Sequence, residues 1–273
     1  IMHSLHGSTF HDSIHKVSAL LYKILEKITA RWTDVIISVG NDLKERYIEA
    51  GVGRKEQYVT IRSGFELSEF LLNKEQILEN SRQLKDELGL DHQSIIVGSA
   101  SRLEARKGHV YLFEAAEKIV VEHKSVHVVL AGDGVLEAEL KQWIKNHDMQ
   151  DRIHFLGFRE DIAKVIAGFD IFALTSLWEG LPRVLVQAAA LQKPIITFDV
   201  EGANEIVEHG KNGYIVKKTD TLSLIHYLEK MVSNPTLLKR MGESSRSMVN
   251  SEWDKEVMVE KISQLYEKVR GPL

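Results

Sequence analysis

Cysteine is absent from the 273 residues, which removes disulfide scaffolds, thiolate metal sites and thiol nucleophiles together. Four prolines and eighteen glycines are few enough to suit a chain rich in regular structure. A basic excess is missing as well. The 35 Lys and Arg stand against 39 Asp and Glu, a formal net charge of −4, so no nucleic-acid partner is expected. No apolar stretch approaches the ~18–20 residues of a membrane span. The longest runs, Ile95 to Val97 with Gly98 and Val128 to Ala131, are strand-sized. The opening residues, Ile1-Met2-His3-Ser4-Leu5-His6-Gly7, lack the cationic region and apolar core of a signal peptide. They do not start with Met and read as the interior of a domain.

Apolar residues make up 44% and charged residues 27%, the balance of a soluble globular chain with one large domain or two small ones. From about residue 95 onward, short β-branched runs alternate with amphipathic stretches, the mark of βαβ units and a parallel sheet. Segments 95–99, 126–131, 153–156, 171–174, 194–198 and 214–216 read as strands. Segments 111–121, 136–146, 162–167 and 182–191 read as helices. The strands are continuously apolar instead of alternating, so both faces of the sheet are covered. This half is a doubly wound, Rossmann-like α/β domain.

The first ninety residues are sparser. Leu20, Leu21, Ile24, Leu25 and Ile28 form the apolar face of a helix over 18–31. Segments 35–38 and 58–61 read as strands, 43–50 as a helix, and 70–88 as a helix plus linker. That is too little for an independent doubly wound core, so this part reads as the closing third of an incomplete Rossmann-like domain. The expected division is 1–75 for that part, 76–93 for a linker, and 94–250 for the complete domain. A helix in 251–273 is expected to pack back toward the first part. The apolar face of the 18–31 helix, rimmed by His15, Lys16, Lys23, Lys27 and Arg31, is expected to pack within its own domain; contact with an anionic membrane is the alternative.

Open parallel sheets bind ligands outside the carboxyl ends of their strands, and three such loops carry chemistry here. In Ser101-Arg102-Leu103-Glu104-Ala105-Arg106-Lys107-Gly108-His109, two or three cations meet a helix N-terminus. Cations there oppose the helix dipole, so phosphate is a better explanation than a merely solvated loop. In Ser176-Leu177-Trp178-Glu179-Gly180-Leu181-Pro182-Arg183, Gly180 admits a ligand close to the backbone and Pro182 suits the first helical position. The N–H groups of Leu181 and Arg183 would form an anion nest there. Glu179 would accept hydrogen bonds from hydroxyls, and Gln187, two turns on, would share its helix face. In the third loop, Gly202, Asn204 and Glu205 would either bind hydroxyls or cap a short helix. Gly132-Asp133-Gly134 lacks the third glycine of a dinucleotide fingerprint and reads as a tight turn. The histidines are scattered and read as surface residues, with His3, His6 and His11 forming one cluster.

These segments resemble the retaining GT-B glycosyltransferases of family four (glycosyl transferases group 1), which use nucleotide sugars. The 101–109 loop is similar to their Arg-x-x-x-x-Lys-Gly element. Phe155-Leu156-Gly157-Phe158, Ser176 through Pro182, Lys193-Pro194-Ile195-Ile196 and Gly202 through Val207 follow in the family's order. Ile61-Arg62-Ser63-Gly64-Phe65-Glu66 through Phe70 is similar to its inter-domain segment, and His6-Gly7 with Phe10 to its His-Gly element.

The resemblance implies a GT-B fold and transfer of a sugar, with retention, from a nucleoside-diphosphate sugar, expected to be a UDP-sugar. Arg102 and Lys107 would hold the diphosphate, which requires no metal and no further cofactor. Glu179 would contact the donor sugar, and Gly180, Leu181, Pro182 and Arg183 the phosphates. Gln187 stands where the family usually has a Glu that holds the ribose. Backbone at Phe158 and Arg159 would face the base, and His6 the reacting sugar. A polysaccharide or lipid-linked acceptor, a cytoplasmic location and peripheral membrane contact are implied as well. The alternative is a non-catalytic fragment that binds nucleotide sugar. An epimerase or phosphorylase of the same fold fits less well, because Glu179-Gly180 follows Trp178 and no lysine is apparent for a pyridoxal aldehyde.

Overall fold

The computed structural model describes residues 1–10 and 14–270; His11 of the histidine cluster lies outside them. It is built on two parallel sheets. The first contains β1 (Met2–Leu5), β2 (Val35–Ser38) and β3 (Tyr58–Thr60), with α1 (Lys16–Thr29) and α2 (Asn41–Glu49) in the connections. A helix α3 (Lys74–Glu87) leads into β4 (Ile95–Ala100), α4 (His109–Glu122), β5 (Val126–Ala131), α5 (Glu137–Asn146) and β6 (Ile153–Gly157). After α6 (Ile162–Gly168) come β7 (Ile171–Leu174), α7 (Arg183–Ala190), β8 (Ile195–Phe198) and β9 (Gly213–Val216). The chain ends in α8 (Thr221–Val232), α9 (Pro235–Ser247) and α10 (Lys255–Arg270).

The second sheet has the order β6-β5-β4-β7-β8-β9, all parallel. Every residue of β5, β7 and β8 is buried, because helices cover both faces, as the unbroken apolar runs require. The chain starts at β4, winds outward to β6, then returns to β7 on the other side of β4. The loops leaving β4 and β7 therefore diverge, and a crevice opens between them at the carboxyl ends.

The smaller sheet is sandwiched. Successive side chains of a strand alternate between faces, so Ile36 packs with Leu43 and Tyr47 of α2 while Ile37 packs with Leu265 of α10. The chain passes from the first sheet to the second through residues 61–73 and comes back near Trp253. There the Phe65 N–H donates to Trp253 O (3.1 Å), the Lys255 N–H to Phe65 O (3.0 Å), and the Arg62 guanidinium lies 4.3 Å from the Trp253 ring. The returning α10 thus belongs to the first sheet's core.

Three segments differ from the sequence reading. Met2–Leu5 is a strand although its residues show no β-branched run; parallel pairing with β2, from Met2 opposite Val35 to Leu5 opposite Ser38, imposes it. The helix expected within 70–88 is α3, which extends through most of the 76–93 linker and buries Leu84 against α6; a Cβ on Gly168 would lie 2.5 Å from the Leu84 side chain. The apolar face of α1 does not pack within its domain. Val17, Leu20, Leu21, Ile24, Leu25 and Ile28 are 40–69% exposed, while Glu26 turns inward to Thr9 (3.0 Å) and Tyr47 (3.5 Å). No helix among the described residues is long and apolar enough to cross a membrane.

Candidate functional site

The crevice holds a cavity of about 690 Å³ at the switch between β4 and β7, a size suited to a small organic ligand. Its walls include Arg102, Lys107, Phe158, Arg159, Glu179, Leu181, Pro182, Arg183 and Gln187. His6 and Gly180 face a second cavity of about 310 Å³, which Gly7, Ser8, Arg106 and Trp178 also line. Glu179 lines both. The site residues proposed on the first two loops, with Phe158, Arg159 and His6, therefore border one of two cavities that meet at a single carboxylate, while Gly202, Asn204 and Glu205 of the third loop line neither.

Backbone geometry explains how segments 73 residues apart converge there. The Leu177 N–H donates to Arg106 O (2.7 Å) and the Thr175 hydroxyl to Lys107 O (3.2 Å), stitching the loop after β7 to the loop after β4. Gly108, at φ +58°, sits where any Cβ would be 2.4 Å from Thr175 O, so only glycine allows the crossing. His109 opens α4 and is buried. Its Nε2 lies 3.1 Å from Arg102 O, a contact that requires the proton on that nitrogen. Burial, chiefly, holds this imidazole below its usual pKa of 6.5, so it stays neutral and fixes the Arg102 backbone.

Lys107 and Glu179 form the electrostatic centre. Lys107 Nζ lies 2.5 Å from Glu179 Oε1, and Arg106 Nη1 lies 3.1 Å from Glu179 Oε2. Both Lys107 and Glu179 are nearly excluded from water, so each needs an opposite charge. Arg102, by contrast, is exposed and has no ion pair among the described residues, leaving it available to an anion in the cavity.

Some expectations need correction. Pro182 caps α7 instead of occupying its first turn, and the Arg183 N–H donates to Leu181 O (2.9 Å). Half of the supposed anion nest is thereby spent on the turn itself. The Arg159 guanidinium is held by Asp161 (2.7 and 2.9 Å) and Glu87 (2.6 Å), and those carboxylates push its pKa further up. Arg159 borders the cavity while its charge is already matched. Phe158 stands 70% exposed at the rim.

The third loop does not line the larger cavity; it joins the two halves of the molecule. The Gly202 N–H donates to Asp42 Oδ2 (3.2 Å), the Asp42 N–H to Glu205 Oε1 (3.2 Å), and Arg62 Nη1 to Glu205 Oε2 (2.5 Å). Arg46 Nε approaches Glu201 Oε1 to 2.7 Å without hydrogen-bond alignment. Burial pushes the Glu201 carboxyl up to about 7 despite that neighbour.

Sequence reasoning missed Gly132 and Asp133, which line the larger cavity; the Leu103 N–H donates to Asp133 O (2.7 Å). Their signal was a Gly-x-Gly directly after a strand beside the switch point. It also gave no role to Trp178, which lines the smaller cavity. Among the described residues, Glu122, His123 and Glu229 have metal-ligand spacing, but they lie at the far end of α4, about 20 Å along the helix from His109.

The glycosyl transferases group 1 family model matches residues 80–248, more than half of the chain. The chain belongs to that family. This glycosyltransferase is 30% identical over 278 residues to the UDP-Gal:alpha-D-GlcNAc-diphosphoundecaprenol alpha-1,3-galactosyltransferase of Escherichia coli, covering 97% of the chain and 68% of that relative. It is 30% identical to the N-acetyl-alpha-D-glucosaminyl L-malate synthase of Bacillus anthracis, but over 67% of the chain and only 48% of that protein. The chain thus spans between about half and two thirds of these relatives' lengths. Its fold is that of Anabaena HepE, solved with UDP and glucose, at a TM-score of 0.82 and 24% identity over 97% of the chain and 70% of that structure. The glycosyltransferase is of the GT-B type.

Proposed function

We propose that the larger cavity binds a nucleoside-diphosphate sugar, a UDP-sugar in the first instance, and that the sugar passes with retention to an acceptor entering through the smaller cavity. The observation that carries this is that Arg102, Lys107 and Glu179 line one cavity, and that Glu179 lines the smaller cavity as well. Departure of UDP leaves growing charge on the diphosphate, and two cations in the cavity wall stabilise it without a metal. Relatives of known specificity support the donor class: the E. coli relative uses UDP-Gal, and HepE has been solved with UDP and glucose.

Glu179 accepts hydrogen bonds from the donor sugar's hydroxyls, and the amide oxygen of Gln187 accepts from the ribose. A carboxamide there binds more weakly than a carboxylate would, because it lacks charge assistance. His6 faces the transferred sugar across the smaller cavity. The acceptor class is a lipid-linked or polysaccharide glycan, by likeness to the diphosphoundecaprenol acceptor of the E. coli relative. The apolar α1 face with Lys16, Lys23, Lys27 and Arg31 then serves as a peripheral contact with an anionic bilayer. Co-sedimentation with vesicles of phosphatidylglycerol but not phosphatidylcholine checks that contact; no binding to either removes it.

Calorimetric titration with UDP and UDP-sugars, against the Arg102→Ala/Lys107→Ala double variant, tests the donor site. Heat from the wild type that disappears in the variant supports it; no heat, or equal heat, refutes it. Retention is read from the anomeric configuration of the product, and metal independence from transfer that survives EDTA. UDP binding with no transfer to any glycan acceptor would favour the other reading, a nucleotide-sugar-binding module.

A further inference from the structure

Glu179 has two cationic partners, and the proposed donor competes for one of them. Lys107 Nζ donates to Glu179 Oε1 at 2.5 Å. A diphosphate arriving beside Arg102 draws on the same ammonium, which has a single charge to give. Glu179 is only 9% exposed, so without its second cation the carboxylate would be left a desolvated charge with no partner. It would swing away toward water, which would spoil its contact with sugar hydroxyls.

Arg106 is placed to prevent this. Its Nη1 holds the other carboxylate oxygen, Oε2, at 3.1 Å. Its Nε donates to Glu104 Oε1 at 2.7 Å, and its carbonyl accepts from the Leu177 N–H at 2.7 Å. The guanidinium is thus braced at its far side, and its backbone is tied to the very loop that carries Glu179. Arg106 lines the smaller cavity and is not part of the wall of the larger one, so the diphosphate does not reach it first.

We propose that Arg106 is a positioning residue: it holds the Glu179 carboxylate in place and aimed at the donor sugar while Lys107 is engaged by the diphosphate. The Glu104–Arg106–Glu179 chain is the support, and the ligand class is a nucleoside-diphosphate sugar. This rests on the donor reading above and adds to it a division of labour between adjacent cations. Arg102 and Lys107 serve the leaving group, and Arg106 serves the sugar's carboxylate partner.

The test is calorimetric binding of UDP, UDP-glucose, UDP-galactose and UDP-N-acetylglucosamine to the full chain and to Arg106→Gln, Arg106→Lys and Glu104→Gln. The quantity read is the extra affinity of the tightest UDP-sugar over UDP. In Arg106→Gln, UDP binding stays within about twofold of wild type, while the sugar-dependent increment falls roughly tenfold or more, the worth of a charge-assisted hydrogen bond. Arg106→Lys restores part of the increment, and Glu104→Gln loses part of it. A merely structural Arg106 would weaken UDP and UDP-sugar by the same factor, and that result overturns the proposal. So does an unchanged increment, or a wild type that binds UDP but no UDP-sugar more tightly. Absence of UDP binding altogether refutes the donor site itself, and the inference falls with it.

Discussion

Gly180 offers the sharpest test of how the two halves meet. A Cβ added there would lie 2.0 Å from His6 O and 2.8 Å from Gly7 Cα, both backbone atoms that cannot rotate aside. Real contacts of this kind stay above 3.0 Å, so the loop after β1 and the loop after β7 must part by at least 1.0 Å in Gly180→Ala. Arg102, Lys107 and Gln187 line the larger cavity and not the smaller one, and none of them is among the atoms the added Cβ would meet. UDP affinity should therefore stay within about threefold of wild type, while transfer falls roughly a hundredfold, the cost of misplacing reacting groups by about 1 Å. That is about 2.7 kcal/mol of transition-state stabilisation. UDP release in the presence of an acceptor measures the rate, and calorimetry with UDP measures the binding. A variant that transfers at the wild-type rate, or that loses affinity and rate in parallel, would refute the claim that this contact aligns the smaller cavity with the larger.

Further outcomes follow from other contacts. Arg102→Ala removes an exposed cation, so Tm should hardly change while UDP affinity drops by about 10- to 150-fold, with the salt dependence of binding reduced. Gln187→Glu should tighten UDP by about fivefold, because a ribose hydroxyl binds a carboxylate roughly 1 kcal/mol better than an amide. A Cβ on Gly98 would fall 2.0 Å from the buried Phe169 ring, so Gly98→Ala should destabilise by about 1–3 kcal/mol in urea unfolding. Glu201 has a folded pKa of about 7 against 4.5 in the unfolded chain. Its raised pKa means the folded state holds the extra proton, so its contribution to stability is full below pH 4.5 and is lost as pH rises through about 7. Glu201→Gln should flatten that part of the stability–pH curve, and an unchanged slope would show the carboxyl to be ordinary.

Much of the α/β half was legible in the sequence because its signals are local. Continuous apolar runs of strand length, separated by amphipathic stretches, can be satisfied only by a sheet covered on both faces. Strand ends then locate ligand loops without further information. The smaller sheet was harder. Met2–Leu5 carries His3 and Ser4 in a four-residue strand, and only its pairing with β2 makes it one. The direction in which α1 faces was not readable either. Its stripe of Leu20, Leu21, Ile24 and Leu25 says that one face is apolar, and nothing in the pattern says what covers it.

The residue types of the site were likewise written in the chain, and their partnerships were not. Cations beside a helix start, a carboxylate before a glycine, and a Gln two turns later are readable because spacing along one loop or helix fixes them. Arg106 holding Glu179 across 73 residues, Glu205 clamping Asp42 and Arg62, and the spent charge of Arg159 depend on which loops the sheet order brings side by side. Those pairings arise from topology, since β4 and β7 are neighbours in the sheet although α4, β5, α5, β6 and α6 lie between them in the chain. The sequence determined the chemistry available to this glycosyltransferase. The fold decided which charges neutralise one another and which, like Arg102, remain open to a ligand.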